Sequence, residues 1–360
     1  EGYLRVLMRT WLALKQNPGE MPVKSAFTKI RGRISYTFFE DAFREQVNAF
    51  QRPKFRGFHI YAIDGDQMTL PQSPDVLSKG YRGYPCKNDK ETYYPRMYVT
   101  HAVDVISGVT KDVAYSTVNN ECEAANKMVL GFEKDSISLY DRLHFGRNLV
   151  RSHKKANNHF VARCRRGATF SEVMRFFRRW SKRNDSFEVE GMTVRLIKIK
   201  NPKTKRYDVF ATSLPKGFLR NKQIRFLYAY RWEQENCFRD FTSTMKSEQW
   251  HSQSMNGVLQ EFFVALWLMN FAKIEMFSRK GKNDFMKIEY RRANFKLIVD
   301  FLSDNIALIV RKFNEAITVQ LDFLVTRSTE KRMKLSRSKP RQLRAAPSRY
   351  PYASVVDRRV

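Results

Sequence analysis

The sequence predicts an α/β fold, and three features carry the prediction. An apolar run from His59 to Ile63 ends in Asp64-Gly65-Asp66, two β-rich segments are split by Ser107-Gly108, and no Gly or Pro falls between Gly217 and Gly257, which leaves room for a long helix. In chain order, residues 1–55 show helical spacing. Leu4, Leu7, Met8, Trp11 and Leu12 share one face, and a second run goes from Tyr36 through Phe43 to Phe50. Lys24, Lys29, Arg31 and Arg33 lie between them, an arrangement suited to DNA contact. The run at 59–63 reads as a strand that delivers acids at its C-terminal end. A polar loop spans Pro71 to Asn88, and then residues 96–106 and 109–117 give a hairpin signal. A helix from Asn120 to Phe132 and a strand from Ser136 to Tyr140, stopping at Asp141-Arg142, complete the order strand, hairpin, helix, strand.

Residues 149–221 differ in character. Arg163, Arg165 and Arg166 precede an Arg-rich helical stretch from Phe170 to Arg183, and alternating residues from Thr193 to Lys200 lead through Asn201-Pro202 into a strand at 207–212. A basic, β-rich insertion is the simplest reading. The long helix is expected from about Asn221 into the 240s, followed by helical patterns at 258–277 and 297–325. Val258 to Phe277 is the most apolar stretch, but Gln260, Glu261, Lys273 and Glu275 interrupt it, so it reads as a buried helix and no membrane partner is expected. The final residues, 327–360, hold 11 Lys and Arg against Glu330 and Asp357, a net +9.

Charge restricts function more than length does. With 66 Lys and Arg against 36 Asp and Glu, the chain carries +30, so a polyanion is the leading partner. Its 42% hydrophobic content supplies several cores and excludes a disordered polymer. Four cysteines, at 86, 122, 164 and 237, form no CxxC pair and no disulfide framework, and no secretory signal is read at the N-terminus, so a reducing interior is expected.

In so basic a chain, carboxylates at strand ends need a reason. Asp64 and Asp141 each terminate an apolar strand; in adjacent strands their repulsion would be unfavourable unless a divalent cation bridged them, and oxygen ligands favour Mg²⁺ or Mn²⁺. The bland alternatives are an Asp-Gly turn for Asp64 and a helix cap for Asp141. On the long helix, Tyr228, Arg231, Glu235, Arg239, Thr242 and Lys246 fall within roughly 80° at 100° per residue, placing an acid among cations. An exposed stripe of ion pairs is the alternative there.

Taken together, Ile63-Asp64-Gly65-Asp66, Tyr140-Asp141-Arg142 and Leu227-Tyr228-Ala229-Tyr230-Arg231 through Glu235 to Arg239 resemble the three acidic signatures of DDE transposases from bacterial insertion sequences. The branch is the insertion-sequence family four type, with its Tyr-x2-Arg-x3-Glu-x6-Lys signature. Tyr228, Arg231 and Glu235 match that spacing; Thr242 stands where the Lys belongs, and Lys246 is one turn later. The resemblance covers most of residues 25–325. It implies an RNase H-like core with a β-rich insertion and flanking N- and C-terminal helical regions. The divisions expected are 1–55 (helical, DNA-binding), 56–148 (core), 149–221 (insertion), 222–280 (core, with the Glu helix), 281–326 (helical) and 327–360 (basic tail).

The resemblance further implies that Asp64, Asp141 and Glu235 hold two Mg²⁺ (or Mn²⁺) ions. One activates water or a 3′-hydroxyl, and the other stabilises the leaving oxygen. Tyr228, Arg231, Arg142, Arg239 and Lys246 would hold DNA phosphates. The expected activity is cleavage of transposon-end DNA and strand transfer into target DNA, by a homodimer on double-stranded DNA in the bacterial cytoplasm, at the nucleoid. An inactive relative that only grips DNA, or a nuclease without strand transfer, is the alternative. Trp180 could clamp a flipped base but reads as core. His144, His153, His159 and Cys164 lack zinc-finger spacing, and no phosphate-binding GxxxxGK[ST] run exists.

Overall fold

The structure, a computed structural model, describes residues 11, 16–84, 90–167, 170–179, 181–201, 206–280, 291–311, 315–331 and 355–357. The helical pattern from Leu4 to Leu12 (Trp11 apart), Trp180, and all but the start and residues 355–357 of the basic tail lie outside these. A single eight-stranded mixed sheet forms the centre. β1 (His59–Thr69), β2 (Arg96–Asp104) and β3 (Thr110–Ser116) are antiparallel neighbours. β4 (Ser136–Tyr140) and β5 (His159–Arg163) add parallel on the other side of β1. β6 (Asn184–Val189), β7 (Met192–Lys200) and β8 (Tyr207–Thr212) extend the sheet antiparallel, in the order β3-β2-β1-β4-β5-β8-β7-β6. The first five strands run in the order 3-2-1-4-5, as expected of an RNase H-like core. The β-rich segment at 184–212 therefore continues the core sheet edge to edge.

Side-chain alternation along β1 sorts the layers. Tyr61 and Ile63, with Tyr140, Phe160 and Ala162, pack beneath α3 (Glu121–Leu130), α4 (Arg147–Ala156) and α5 (Ser171–Arg178) through Ala125, Val129, Leu149, Val150, Val173 and Phe176. Ile60 and Ala62, with Ile137, Leu139 and Val161, pack on the opposite face beneath Ile224 and Leu227 of α6 (Asn221–Ala229). Burying each Val, Leu, Ile or Phe among these contributes about 1.5–3 kcal/mol, and each Ala less. A third cluster joins α2 (Tyr36–Ala49), α8 (Met255–Lys280), α9 (Phe295–Arg311) and α10 (Glu315–Arg327) to β2 and β3. Among the described residues α8 is the one helix long and apolar enough to cross a membrane, yet Phe262, Phe263, Leu266 and Met269 are fully buried in that cluster. Arg31, at the end of α1 (Lys24–Arg33), is engaged with α8: it donates to Glu261 Oε1 at 2.6 Å, Gln260 Oε1 at 3.0 Å and the Gly257 carbonyl at 3.0 Å.

Two expectations are corrected. β1 does not stop at Ile63 but runs to Thr69, because β2 continues to pair with it, Asp64 opposite His101 through to Thr69 opposite Arg96, so Asp64-Gly65 makes no turn. The helix expected from Asn221 into the 240s is broken. Arg231 N–H donates to the Tyr228 carbonyl (3.0 Å) and Glu233 N–H to the Tyr230 carbonyl (2.9 Å), the tighter i→i−3 pattern, so α6 ends at Ala229 and a separate helix, α7 (Trp232–Arg239), follows. Beyond Arg239 the chain widens into a π-helical turn, Asp240–Thr244, where the buried Asp240 carboxylate pairs with Lys273 of α8.

Candidate active site

The register of the sheet brings two acids together. β1 pairs with β4 from His59 opposite Ser136 to Ala62 opposite Leu139. Two residues beyond that last pair stand Asp64, still in β1 on the row of Ala62 that faces α6, and Asp141, the residue that follows the end of β4. β4 has ended there, so the space beside Asp64 is open on that side. α7 brings the third acid. Its inner side is anchored by Gln234, whose Nε2 donates to the His101 carbonyl of β2 at 3.3 Å, and by buried Cys237. Glu235 thereby faces Asp64 across the Arg231 guanidinium, which donates to Asp64 Oδ2 at 2.8 Å and to Glu235 Oε1 at 2.9 Å.

Electrostatics follow from this crowding. Burial, opposed by Arg231 and reinforced by Asp141, raises the Asp64 carboxyl above its ordinary value. Burial also pushes on Asp141, but the His144 ring and the Leu143 N–H, which reach Asp141 Oδ1 at 2.9 and 2.7 Å, hold it below the ordinary range. Burial works against the Arg231 charge, and Tyr228, Asp64 and Glu235 more than offset it, so its pKa is raised. Tyr228, packed on Phe210, is pushed up to about 12 by burial and stays protonated at neutral pH.

The carboxylate set fits a hard divalent cation. Asp64, Asp141 and Glu235 offer oxygens only, and a guanidinium stands between two of them as a cation of the protein's own. Among the described residues the donors gathered within 4.8 Å of one another are those of Glu121, Cys122 and His144, a set that does not include Asp64, Asp141 or Glu235, although His144 also holds Asp141. His153 and His159, weighed for zinc with His144 and Cys164, are engaged elsewhere, with Tyr140 Oη (3.0 Å) and Ser213 Oγ (3.2 Å).

The cations spread out. Arg231 is central, and Tyr228 lies one tight turn before it. Arg239, at the end of α7, donates to Asn236 Oδ1 at 2.9 Å. Arg142 is exposed in the turn after β4. Lys246 is exposed beyond the π-turn with φ +52°, so a uniform 100° projection does not carry from Glu235 to it. Sequence reasoning missed His144 as the partner of Asp141, although the Asp-x-x-His spacing was there to read. It also missed Glu121, whose approach depends on chain crossing and leaves no local signal.

Fold and site together define a class: an α/β core with acids on its central strand, just after the neighbouring parallel strand and on a helix that follows the sheet. Residues 56–271 match the family model for the transposase DDE domain, and the chain belongs to that family. Membership implies divalent-metal use. The chain is 22% identical over 286 residues to the transposase InsG for insertion sequence element IS4 of Escherichia coli K12, covering 72% of this chain and 63% of that protein. It is 23% identical over 146 residues to InsZ of the same strain, covering 38% of this chain and 48% of InsZ. The chain thus spans less than two thirds of the length of these curated relatives. It also resembles a piggyBac transposase in a synaptic complex with hairpin DNA, at 14% identity and TM-score 0.47, over 89% of this chain and 68% of that one.

Proposed function

We propose that this chain is a DDE transposase that cleaves transposon-end DNA and transfers the strand into target DNA. One observation supports the reading: Asp64 and Glu235, 171 residues apart along the chain, are bridged by the Arg231 guanidinium, and Asp141 is near enough for its charge to help raise the Asp64 carboxyl. Asp64, Asp141 and Glu235 hold two Mg²⁺ or Mn²⁺ ions. When bound, such a pair lowers the pKa of an attacking water or 3′-hydroxyl and neutralises charge on the leaving oxygen. Arg231, freed from the carboxylates it bridges, turns to the scissile phosphate, where its planar fork suits two oxygens. Neutral Tyr228 donates a hydrogen bond on the same side. His144 keeps Asp141 oriented by its contact with Oδ1.

Exposed Arg142 and Lys246, with Arg239, follow the phosphates flanking the scissile bond, and the basic tail adds non-specific affinity. In this reading residues 1–55 bind DNA, 56–148 and 222–280 make the catalytic core, 149–221 is a basic insertion, 281–326 is a helical region, and 327–360 is the tail. The protein works as a homodimer on paired element ends, at the nucleoid in the bacterial cytoplasm, with no membrane partner.

Strand transfer separates this reading from a simple nuclease. Given pre-cut element ends and a plasmid target with Mg²⁺, the protein is expected to join 3′-ends to the plasmid. Cleavage of intact ends with no joining would reduce it to a nuclease, and DNA binding with neither reaction would reduce it to a DNA-gripping protein.

A further inference from the structure

Resting on the reading of Asp64 and Asp141 as cation ligands, we infer that Glu121 supplies a fourth carboxylate to that cation site, reaching it from the opposite face of the sheet. By alternation from Ala62, Asp64 lies on the α6 side of β1; Glu121 belongs to the first turn of α3, on the other side. Gly65 lets it through. A Cβ at position 65 would stand 2.2 Å from Glu121 Oε2 and 2.9 Å from Glu121 Cβ, so any other residue there would drive the carboxylate away from the strand that bears Asp64. The Gly of Asp-Gly-Asp thus has a role that is not turn formation, since β1 runs straight through it.

Glu121 is also short of partners. Among the described residues no backbone or side-chain donor reaches its carboxylate, whereas Asp64 has Arg231 and Asp141 has His144. Burial and the like charges of Asp64 and Asp141 work against its charge, with only the His144 ring in its favour, an arrangement that a cation relieves. The second observation is His144. It is 5% exposed, its Nδ1 is engaged with Asp141, and its buried Nε2 has no hydrogen-bond partner, while a ring nitrogen lies within 4.8 Å of Glu121 and Cys122 donors. A cation or its water between Glu121 and the aspartates gives that nitrogen a partner. Glu121 also lines a cleft of ≈ 290 Å³ with Gly65, Asp66, Arg96, Tyr98 and Asn119, so solvent and ions reach it.

A plain helix-start acid, favourable beside the α3 N-terminus, would matter only to stability. Manganese binding tells the two apart. With the full chain titrated against Mn²⁺ and free ion followed by electron paramagnetic resonance, Glu121→Gln is expected to weaken binding about 10- to 100-fold, the range for groups that support a metal site, with unchanged circular dichroism. Gly65→Ala, which displaces the same carboxylate, is expected to weaken it as well; should that variant misfold, Glu121→Gln decides alone. Wild-type affinity in Glu121→Gln, alongside loss of binding in Asp64→Asn, would overturn the inference and leave the proposed function standing. Wild-type affinity in Asp64→Asn too would remove the cation site on which both rest.

Discussion

Arg231 bridges two acids from distant parts of the chain, at 2.8 Å from Asp64 Oδ2 and 2.9 Å from Glu235 Oε1. Its side chain is 12% exposed and the carboxylates 22% and 26%, so the triad is neither a free surface pair nor fully dry. An internal cation there holds the two carboxylates together, and on the proposed reading divalent ions would compete with it for the same oxygens.

Removing that cation should therefore shift dependence onto metal. Arg231→Ala is expected to cost about 2 kcal/mol without metal, below the range for fully buried pairs because the carboxylates retain some solvent. Added Mn²⁺ should then raise the melting temperature of the variant by more than it raises that of the wild type. Equal metal-induced shifts in the two proteins would show that Arg231 and the ion do not share ligands.

A buried acid away from the site sets a pH dependence. Asp104 closes the β2–β3 turn, its Oδ1 accepting from Ile106 and Ser107 N–H at 2.8 Å each, while Oδ2 is buried without a partner. Burial raises it from 3.8 to about 6 in spite of those bonds. The folded state thus binds the proton more tightly than the unfolded one. Stability from this group is present below about pH 4 and is lost as pH rises to about 6. Asp104→Asn is expected to stabilise the protein at pH 7.5, by up to about 3 kcal/mol, and to have little effect at pH 4. Denaturant unfolding at both pH values checks this, and an equal effect at both would assign the change to packing alone.

Lys198 of β7 holds the end of α5. Its buried Nζ donates to the carbonyls of Phe176 (2.5 Å) and Arg179 (2.8 Å). Lys198→Met keeps the stem and strands those carbonyls, so a loss of about 1–3 kcal/mol is expected in chemical unfolding. A neutral result would mean that water takes over the capping.

Phosphate contacts should appear as salt dependence. Arg142→Gln with Lys246→Gln is expected to weaken binding to all DNA sequences alike and to flatten the slope of log affinity against log salt by about 2. Fluorescence anisotropy across a salt series measures it. An unchanged slope would place both cations off the DNA path.

Much of the core was legible in the sequence because it is local. The Ser107-Gly108 hairpin, the 136–140 strand and the helix after Asn120 fall where patterning puts them, since each is fixed by alternation or by an adjacent turn. The pairing of Asp64 with Asp141 needed one added assumption, that their strands are neighbours, which the register supplies. What failed to show was non-local. The extension of β1 to Thr69 comes from pairing with β2; the break at Tyr230-Arg231 is the local exception, made by i→i−3 bonds that no residue type announces. The π-turn after Arg239 accompanies a buried Asp240–Lys273 pair made with another helix. Gly65 looked like half of an Asp-Gly turn, and only the crossing of α3 reveals what its bare Cα accommodates.

Asp64, Asp141 and Glu235 are expected to act as one unit. Mg²⁺-dependent nicking of element-end DNA should fall at least 1,000-fold (order of magnitude for residues acting as a unit, about 4 kcal/mol) in each of Asp64→Asn, Asp141→Asn and Glu235→Gln, with DNA affinity within a few-fold of wild type. Nicking at the wild-type rate by any one of the three would contradict a shared cation site and take that residue out of it.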